Sequence, residues 1–235
     1  MKNGILDSGQ KIITNGLVLN YDVAQLRSYP KIGTNITDLS GNGNNGTLIN
    51  GVGFNALNGG NLLFDGINDY VNCGVVSSLG SDPSLPFSFS IWVKKNVNKL
   101  VGVFEKYAGS TVGGIFGWTV RLDQPATNDV FLYLNKSQVG GTSIIAENVL
   151  SLNTWVNITV TYNGSFGYLY INGIFKSSGA TPGGVVSTRN IYFGIISQST
   201  NALNGNIGNA LGYTKTLSAT EVLQNFNANR SRYGL

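Results

Sequence analysis

Histidine is absent from the 235-residue chain, and cysteine and methionine occur once each. Without an imidazole neither a Ser-His-Asp nor a Cys-His triad can be assembled, and no zinc site can draw on histidine. The lone Cys73 cannot close an internal disulfide, which excludes a small scaffold held by cysteine bridges. Charge is scarce as well: 11% of residues are Asp, Glu, Lys or Arg, against about 25% in typical domains. The 15 basic and 11 acidic residues give +4 at pH 7 and form no run, so no electrostatic stripe for nucleic acid is present. No stretch approaches the length of apolar sequence that spans a membrane, and residues 1–16 hold no apolar run of the signal-peptide kind. The expectation is a protein made in soluble form. On that expectation the Asn-x-Ser/Thr triplets at Asn35, Asn45, Asn135, Asn157 and Asn163 are products of composition.

What the chain does have is apolar residues at 42%, aromatics at 11% and 32 glycines, enough to bury one sizeable core. The dominant pattern has period two. In Phe87-Ser-Phe-Ser-Ile-Trp-Val93, the residues Phe87, Phe89, Ile91 and Val93 share one face while Ser88, Ser90 and Trp92 share the other. Val156-Asn-Ile-Thr-Val-Thr-Tyr162 repeats it, with Asn157, Thr159 and Thr161 on the polar side. Asn50-Gly51, Asp65-Gly66, Asn163-Gly164, Asn172-Gly173 and Asn204-Gly205 are turn dipeptides. Their spacing favours an antiparallel sandwich or barrel over alternating strands and helices. One short helix is predicted near the C-terminus, where Ser218 and Glu221 form a capping box ahead of Val222, Leu223 and Phe226. Residues 1–16 lack a clear period and are expected to form an arm that orders against a partner; residues 17–235 form the domain.

Two candidate chemistries fail on context. Glycoside hydrolysis needs paired carboxylates, and Glu105, Glu147 and Glu221 are far apart in sequence, with Glu221 explained by capping. Gly41-Asn-Gly-Asn-Asn-Gly46 satisfies G-x-G-x-x-G, yet it lies in a loop entering a strand and opens no helix, so it makes no dinucleotide site.

Asp38-Leu-Ser-Gly-Asn-Gly-Asn-Asn-Gly-Thr47 and Leu63-Phe-Asp-Gly-Ile-Asn-Asp-Tyr-Val71 resemble the opening of LamG-like, concanavalin A-like domains. Residues 87–93, Asn153 to Gly164 and Leu169 to Gly173 resemble that family's central strands in order. Leu203 to Ile207 and Leu217 to Val222 resemble its closing strand and helix. The resemblance implies an all-β, two-sheet antiparallel jelly-roll sandwich with adjacent first and last strands, used more for binding glycans or proteins than for catalysis. Within the class, the Asn/Gly/Thr-rich loops resemble those of LamG-like proteins of bacteriophage virions. That implies a non-enzymatic capsid-decoration or tail-fibre component on the virion surface, synthesised in the host cytoplasm. Its expected partners are other virion proteins, copies of itself and host surface polysaccharide. A free carbohydrate-binding module or lectin is the alternative, with a glycan hydrolase as a third reading.

Many LamG-like domains bind Ca2+, which takes 6 to 8 oxygen ligands. The candidate metal ligands are Asp22, Asp38 and Asn42, with Asp65, Asn68 and Asp69 as a second set; the same residue types also serve turns through their own backbone hydrogen bonds. Sugar binding commonly sets a flat aromatic beneath a pyranose ring. The candidate platforms are Trp92, beside Ser88, Ser90, Asn157 and Thr159, and Trp118 with Tyr133.

Overall fold

The computed structural model describes residues 10–80, 85–108, 116–135, 141–181, 189–196 and 201–235. Sixteen strands are found among them. In chain order they are β1 (Leu17–Tyr21), β2 (Asn35–Ile36), β3 (Gly46–Ile49), β4 (Gly53–Asn55), β5 (Asn61–Asp65), β6 (Tyr70–Asn72), β7 (Phe87–Lys95) and β8 (Val101–Ala108). There follow β9 (Phe116–Leu122), β10 (Val130–Asn135), β11 (Gly141–Ala146), β12 (Trp155–Tyr162), β13 (Phe166–Ile171), β14 (Ile174–Ala180), β15 (Tyr192–Phe193) and β16 (Asn204–Tyr213). Helix α1 (Ala219–Asn227) and a 3-10 turn (Arg230–Tyr233) end the chain.

The strands form two antiparallel eight-stranded sheets. The first runs β14-β13-β12-β7-β16-β5-β4, with β1 also on β16; the second runs β11-β10-β9-β8-β15-β6-β3-β2. Tyr21 opposite Ala210 places the first strand beside the last, the closure that the resemblance implies.

The period-two strands supply the core. Phe87, Phe89, Ile91 and Val93 are fully buried between the sheets, and Phe89 stacks on Phe104 of the second sheet with centroids 4.5 Å apart. Hairpin β13–β14 turns on Asn172 (φ 51°) and Gly173 (φ 77°), the left-handed pair of a two-residue turn. Asn204-Gly205, by contrast, makes no turn: it opens strand β16 opposite Asp65 and Phe64. Where β13 and β14 approach the second sheet, the chain has no room for side chains. A Cβ on Gly167 would lie 2.2 Å from Leu134 Cδ1, and one on Gly179 2.6 Å from Thr142 Cγ2. Thr142 Oγ1 donates to the Ala180 carbonyl across this seam.

The outer face of the first sheet is covered, contrary to expectation. Ser218 caps α1 and Glu221 closes the capping box; the buried Val222 and Phe226 then press the helix onto the sheet. Residues 10–16, expected to be part of an arm, lie on the same face. Ile13 N donates to Asn225 Oδ1 (2.8 Å), Tyr213 Oη donates to Ile13 O (3.0 Å), and Gln224 Nε2 donates to Lys11 O (2.8 Å). The chain itself therefore orders this part of the segment, and the remainder of the expected arm lies outside the described residues.

Candidate functional site

Both tryptophan platforms are lost, Trp92 to the covering of the first sheet and Trp118 to the core. Trp92 does point outward from β7, but it is 1% exposed because Phe226 and Tyr233 stack on it. Its neighbours Ser88, Ser90, Asn157 and Thr159 are buried as well. They form a hydrogen-bonded layer under the C-terminal segment: Thr159 Oγ1 contacts Ser90 Oγ at 2.9 Å, and Ser88 Oγ donates to Lys215 O at 2.7 Å. The hydroxyls read as a solvated face are thus interior polar groups satisfied by one another. Trp118 points the other way, into the core, 0% exposed between Phe87, Phe89 and Phe104. Neither indole offers a face to a sugar.

The three proposed metal ligands are engaged elsewhere. Asp38 is a loop organiser. Its Oδ1 accepts from Asn20 N (2.8 Å) and Ser40 N (2.9 Å), and its Oδ2 from Ser40 Oγ (2.7 Å) and Asn44 N (3.1 Å). Asp22 is paired with Arg232 at 2.6 Å and also accepts from Gln25 Nε2. Asn42 turns its amide toward Leu17 O and Ser40 Oγ. In the second set, Asp69 Oδ2 accepts from Asp65 N, while Asp69 Oδ1 has no partner among the described residues; burial pushes this carboxyl group's pKa upward. One open oxygen falls far short of the 6 to 8 that Ca2+ takes. These side chains do not fit a calcium site.

Tyr133 remains, half-buried on the outer face of the second sheet, and the strand register shows its neighbours. It lies opposite Ser143 on one side and Thr119 on the other. Thr119 lies opposite Glu105, Glu105 opposite Tyr192, and Tyr192 opposite Asn72. Asn72 continues to Thr47, and Thr47 to Asn35. Ser143, Tyr133, Thr119, Glu105, Tyr192, Asn72, Thr47 and Asn35 therefore make one unbroken polar row across all eight strands, pointing away from the core. At about 4.8 Å per strand the row is roughly 33 Å long.

Its ends and middle differ in access. Ser143, Thr47 and Asn35 are exposed, Tyr133, Tyr192 and Asn72 are half-buried, and Thr119 and Glu105 are fully buried. Thr119 Oγ1 donates to Glu105 Oε2 at 3.4 Å. Asn72 Oδ1 is held by Gly74 N (3.0 Å) and Asn190 Nδ2 (3.2 Å), which fixes the direction of its amide. Aromatic and cationic groups flank the row. Phe131 lies nearly parallel to Tyr133 (5.9 Å, 12°), Arg121 is opposite Phe131, and Tyr70 packs edge-on to Tyr192 (5.7 Å, 81°). Rings with polar neighbours, hydroxyls and fixed amides are the groups that hold a polyhydroxylated ligand. Sequence reasoning found Tyr133 and missed the rest, since a row across a sheet draws one residue from each strand and leaves no linear motif.

The model for the concanavalin A-like lectin/glucanases superfamily, Laminin_G_3, matches residues 65–223. The chain belongs to this superfamily. No curated protein sequence matches it. Among solved structures it is similar to the binding domain of Paraclostridial Mosquitocidal Protein 1, with TM-score 0.71 and 19% identity over 92% of this chain and 52% of that one. It is also similar to the botulinum neurotoxin serotype D ligand-binding domain in complex with N-acetylneuraminic acid, with TM-score 0.71 and 18% identity over 91% and 51%. For the serotype G binding domain the values are 0.66 and 21% over 89% and 50%. The chain spans about half the length of these structures, and identities this low establish a shared fold.

Within a superfamily of lectins and glucanases, the number of acids on the face decides which chemistry is open. Glycoside hydrolysis takes two carboxyl groups on either side of the scissile bond. Among the described residues Glu105 is the one acid in the row, and the flanking positions add Phe131, Arg121 and Tyr70 but no acid.

Proposed function

We propose that the chain is a non-enzymatic binding module that lays a glycan across the outer face of its second sheet. The observation that carries this reading is the unbroken polar row from Ser143 to Asn35, bordered by Phe131, Tyr133, Tyr70 and Tyr192, on the sheet that α1 leaves uncovered. Half-buried Tyr133 and Arg121 on one side of Glu105, and Tyr192, Tyr70 and Asn72 on the other, are the contact groups. Glu105 holds Thr119 in place between them. The likeness to a toxin domain solved with N-acetylneuraminic acid supports a sugar ligand, and Glu105 as the one acid of the row among the described residues supports binding without cleavage.

The setting proposed is adhesion to host-cell polysaccharide from a bacteriophage particle, as a capsid-decoration or tail-fibre component. The resemblance of the Asn/Gly-rich motifs supports this setting; the similar solved structures are clostridial toxin domains. Retention on immobilised bacterial surface polysaccharides tests the binding. The wild-type protein is expected to be retained, and Tyr133→Ala and Tyr192→Ala to elute early with unchanged melting temperatures. Equal retention of both variants, or no retention of the wild type, overturns the reading. Release of reducing ends that Glu105→Gln abolishes would make the protein an enzyme. Co-purification with virions tests the setting.

A further inference from the structure

On the opposite side of the sandwich, the covering of the first sheet leaves a gap. Residues 10–14 cross the outer face of β1 and β16, bonded to α1 through Lys11 and Ile13, and beside the residues that follow α1 lies a cavity of about 370 Å³. Asn20 of β1 and Asn209 of β16 form its floor, Gln25 and Asn229 stand at its sides, and Thr14 adds a hydroxyl. Asn20 is 9% and Asn209 4% exposed. The backbone of each is bonded, Asn20 N to Asp38 Oδ1 and Asn209 N to Tyr233 Oη. Neither side-chain amide has a hydrogen-bond partner among the described residues. Buried amides are nearly always paired, because an unpaired one loses the bonds it had in water. The two amides line one cavity and are not among the fully buried unpaired atoms, so they are reachable from it and available to bond whatever fills it.

The walls specify what that is. Asp22 reaches the cavity, but its charge is met by Arg232 at 2.6 Å, so the site does not select a cation; Lys11 lines the same space. The carboxamides of Gln10, Asn20, Gln25, Asn209 and Asn229, each both donor and acceptor, match groups that also donate and accept, namely hydroxyls on adjacent carbons. Ile12 and Ala228 provide small apolar surfaces for the C–H face of a ring. A volume at the low end for ligand pockets suits one ring and excludes an extended chain. We infer that Asn20 and Asn209 form the floor of a second site that takes a single pyranose ring, either a free hexose or the terminal residue of a glycan. This site is separate from the second sheet and does not rest on the reading of that face.

The test is titration of the full chain, labelled with 15N, with D-glucose, D-galactose, D-mannose and N-acetyl-D-glucosamine in turn, following the side-chain amide resonances of Asn20 and Asn209. At least one sugar is expected to shift both resonances saturably, with a millimolar Kd. Asn209→Leu is expected to weaken that titration at least about tenfold, since it replaces a hydrogen-bonding floor by an apolar one. If Asn209→Leu does not fold, Gln25→Leu at the exposed side of the cavity is expected to weaken the titration several-fold with an unchanged melting temperature. Tyr133→Ala, which tests the second sheet, is expected to leave the Asn20 and Asn209 shifts as they are. Absence of saturable shifts with all four sugars overturns the inference, as does an unchanged Kd in the folded variant.

Discussion

The Trp92 indole and the Tyr233 ring lie nearly parallel, with centroids 4.2 Å apart and planes 20° apart. Tyr233 also tilts against Trp155 and accepts a hydrogen bond from Asn209 N at 3.0 Å. It approaches the strand so closely that a Cβ on Gly208 would lie 2.1 Å from its hydroxyl oxygen. The third-last residue of the chain thus fastens the C-terminal segment to the sheet. Tyr233→Ala is expected to cost about 3 to 5 kcal/mol, read as a lower urea midpoint. It should also expose Trp92 and Trp155 to acrylamide quenching while Trp118 stays protected.

Lys95 and Asp123 form an ion pair with side chains only 2% and 5% exposed. Lys95 Nζ also reaches Asn98 and Asn128, and Asp123 accepts from Lys99 N and Asn128 N, so the pair ties the loop after β7 to the loop after β9. Lys95→Met or Asp123→Leu alone leaves a buried charge without its partner and is expected to cost about 3 to 5 kcal/mol. The double variant should cost less than the sum of the two, which a denaturation cycle measures.

Lys106 is fully buried and donates to Val76 O (2.8 Å) and Leu79 O (2.6 Å). Burial lowers its pKa from 10.5 to about 8. Between these two values the unfolded chain keeps a proton that the folded chain has released, so this group makes stability rise with pH across that interval. Cys73 and Tyr213, whose pKa values burial pushes upward, act in the opposite sense once pH passes about 9 and 10 respectively. Urea midpoints are therefore expected to climb from about pH 8 to about pH 9 in the wild type, and the climb to vanish in Lys106→Met.

Asp38 fills the lone pairs of both oxygens with hydrogen bonds from its own loop and from Asn20 of β1. Excess chelator is therefore expected to leave both the melting temperature and polysaccharide retention unchanged, and Asp38→Ala to destabilise the protein with calcium or without it. A melting temperature that calcium raises in the wild type but not in Asp38→Ala would contradict this assignment.

The core was legible in the sequence because period two is a local signal. Phe87, Phe89, Ile91 and Val93 alternate with polar residues, and that alternation is enough to turn them inward. The capping box at Ser218 was legible for the same reason. The fate of the other face was not. Ser90, Asn157 and Thr159 look the same in sequence whether water or a helix covers them, and Trp92 looks the same as a sugar platform or as a seat for Tyr233. Deciding between these requires knowing where α1 docks, 60 to 129 residues further along the chain. Glu105 and Tyr192 were hidden as a pair for a related reason, since only the register of β8 against β15 makes them neighbours.

The glycines at the seam between the sheets bear on how the molecule behaves in a crowded solution. Strand β14 ends the first sheet and β11 ends the second, and free strand edges are where β proteins join one another into aggregates. Many proteins guard such edges with lysines, but this chain carries charge on only 11% of its residues. Gly167 and Gly179 let the two terminal strands close on each other, with Thr142 bound to the Ala180 carbonyl. Resistance to self-association at this edge is therefore expected to come from closure instead of electrostatic repulsion, to be insensitive to salt, and to be lost on Gly167→Ala or Gly179→Ala.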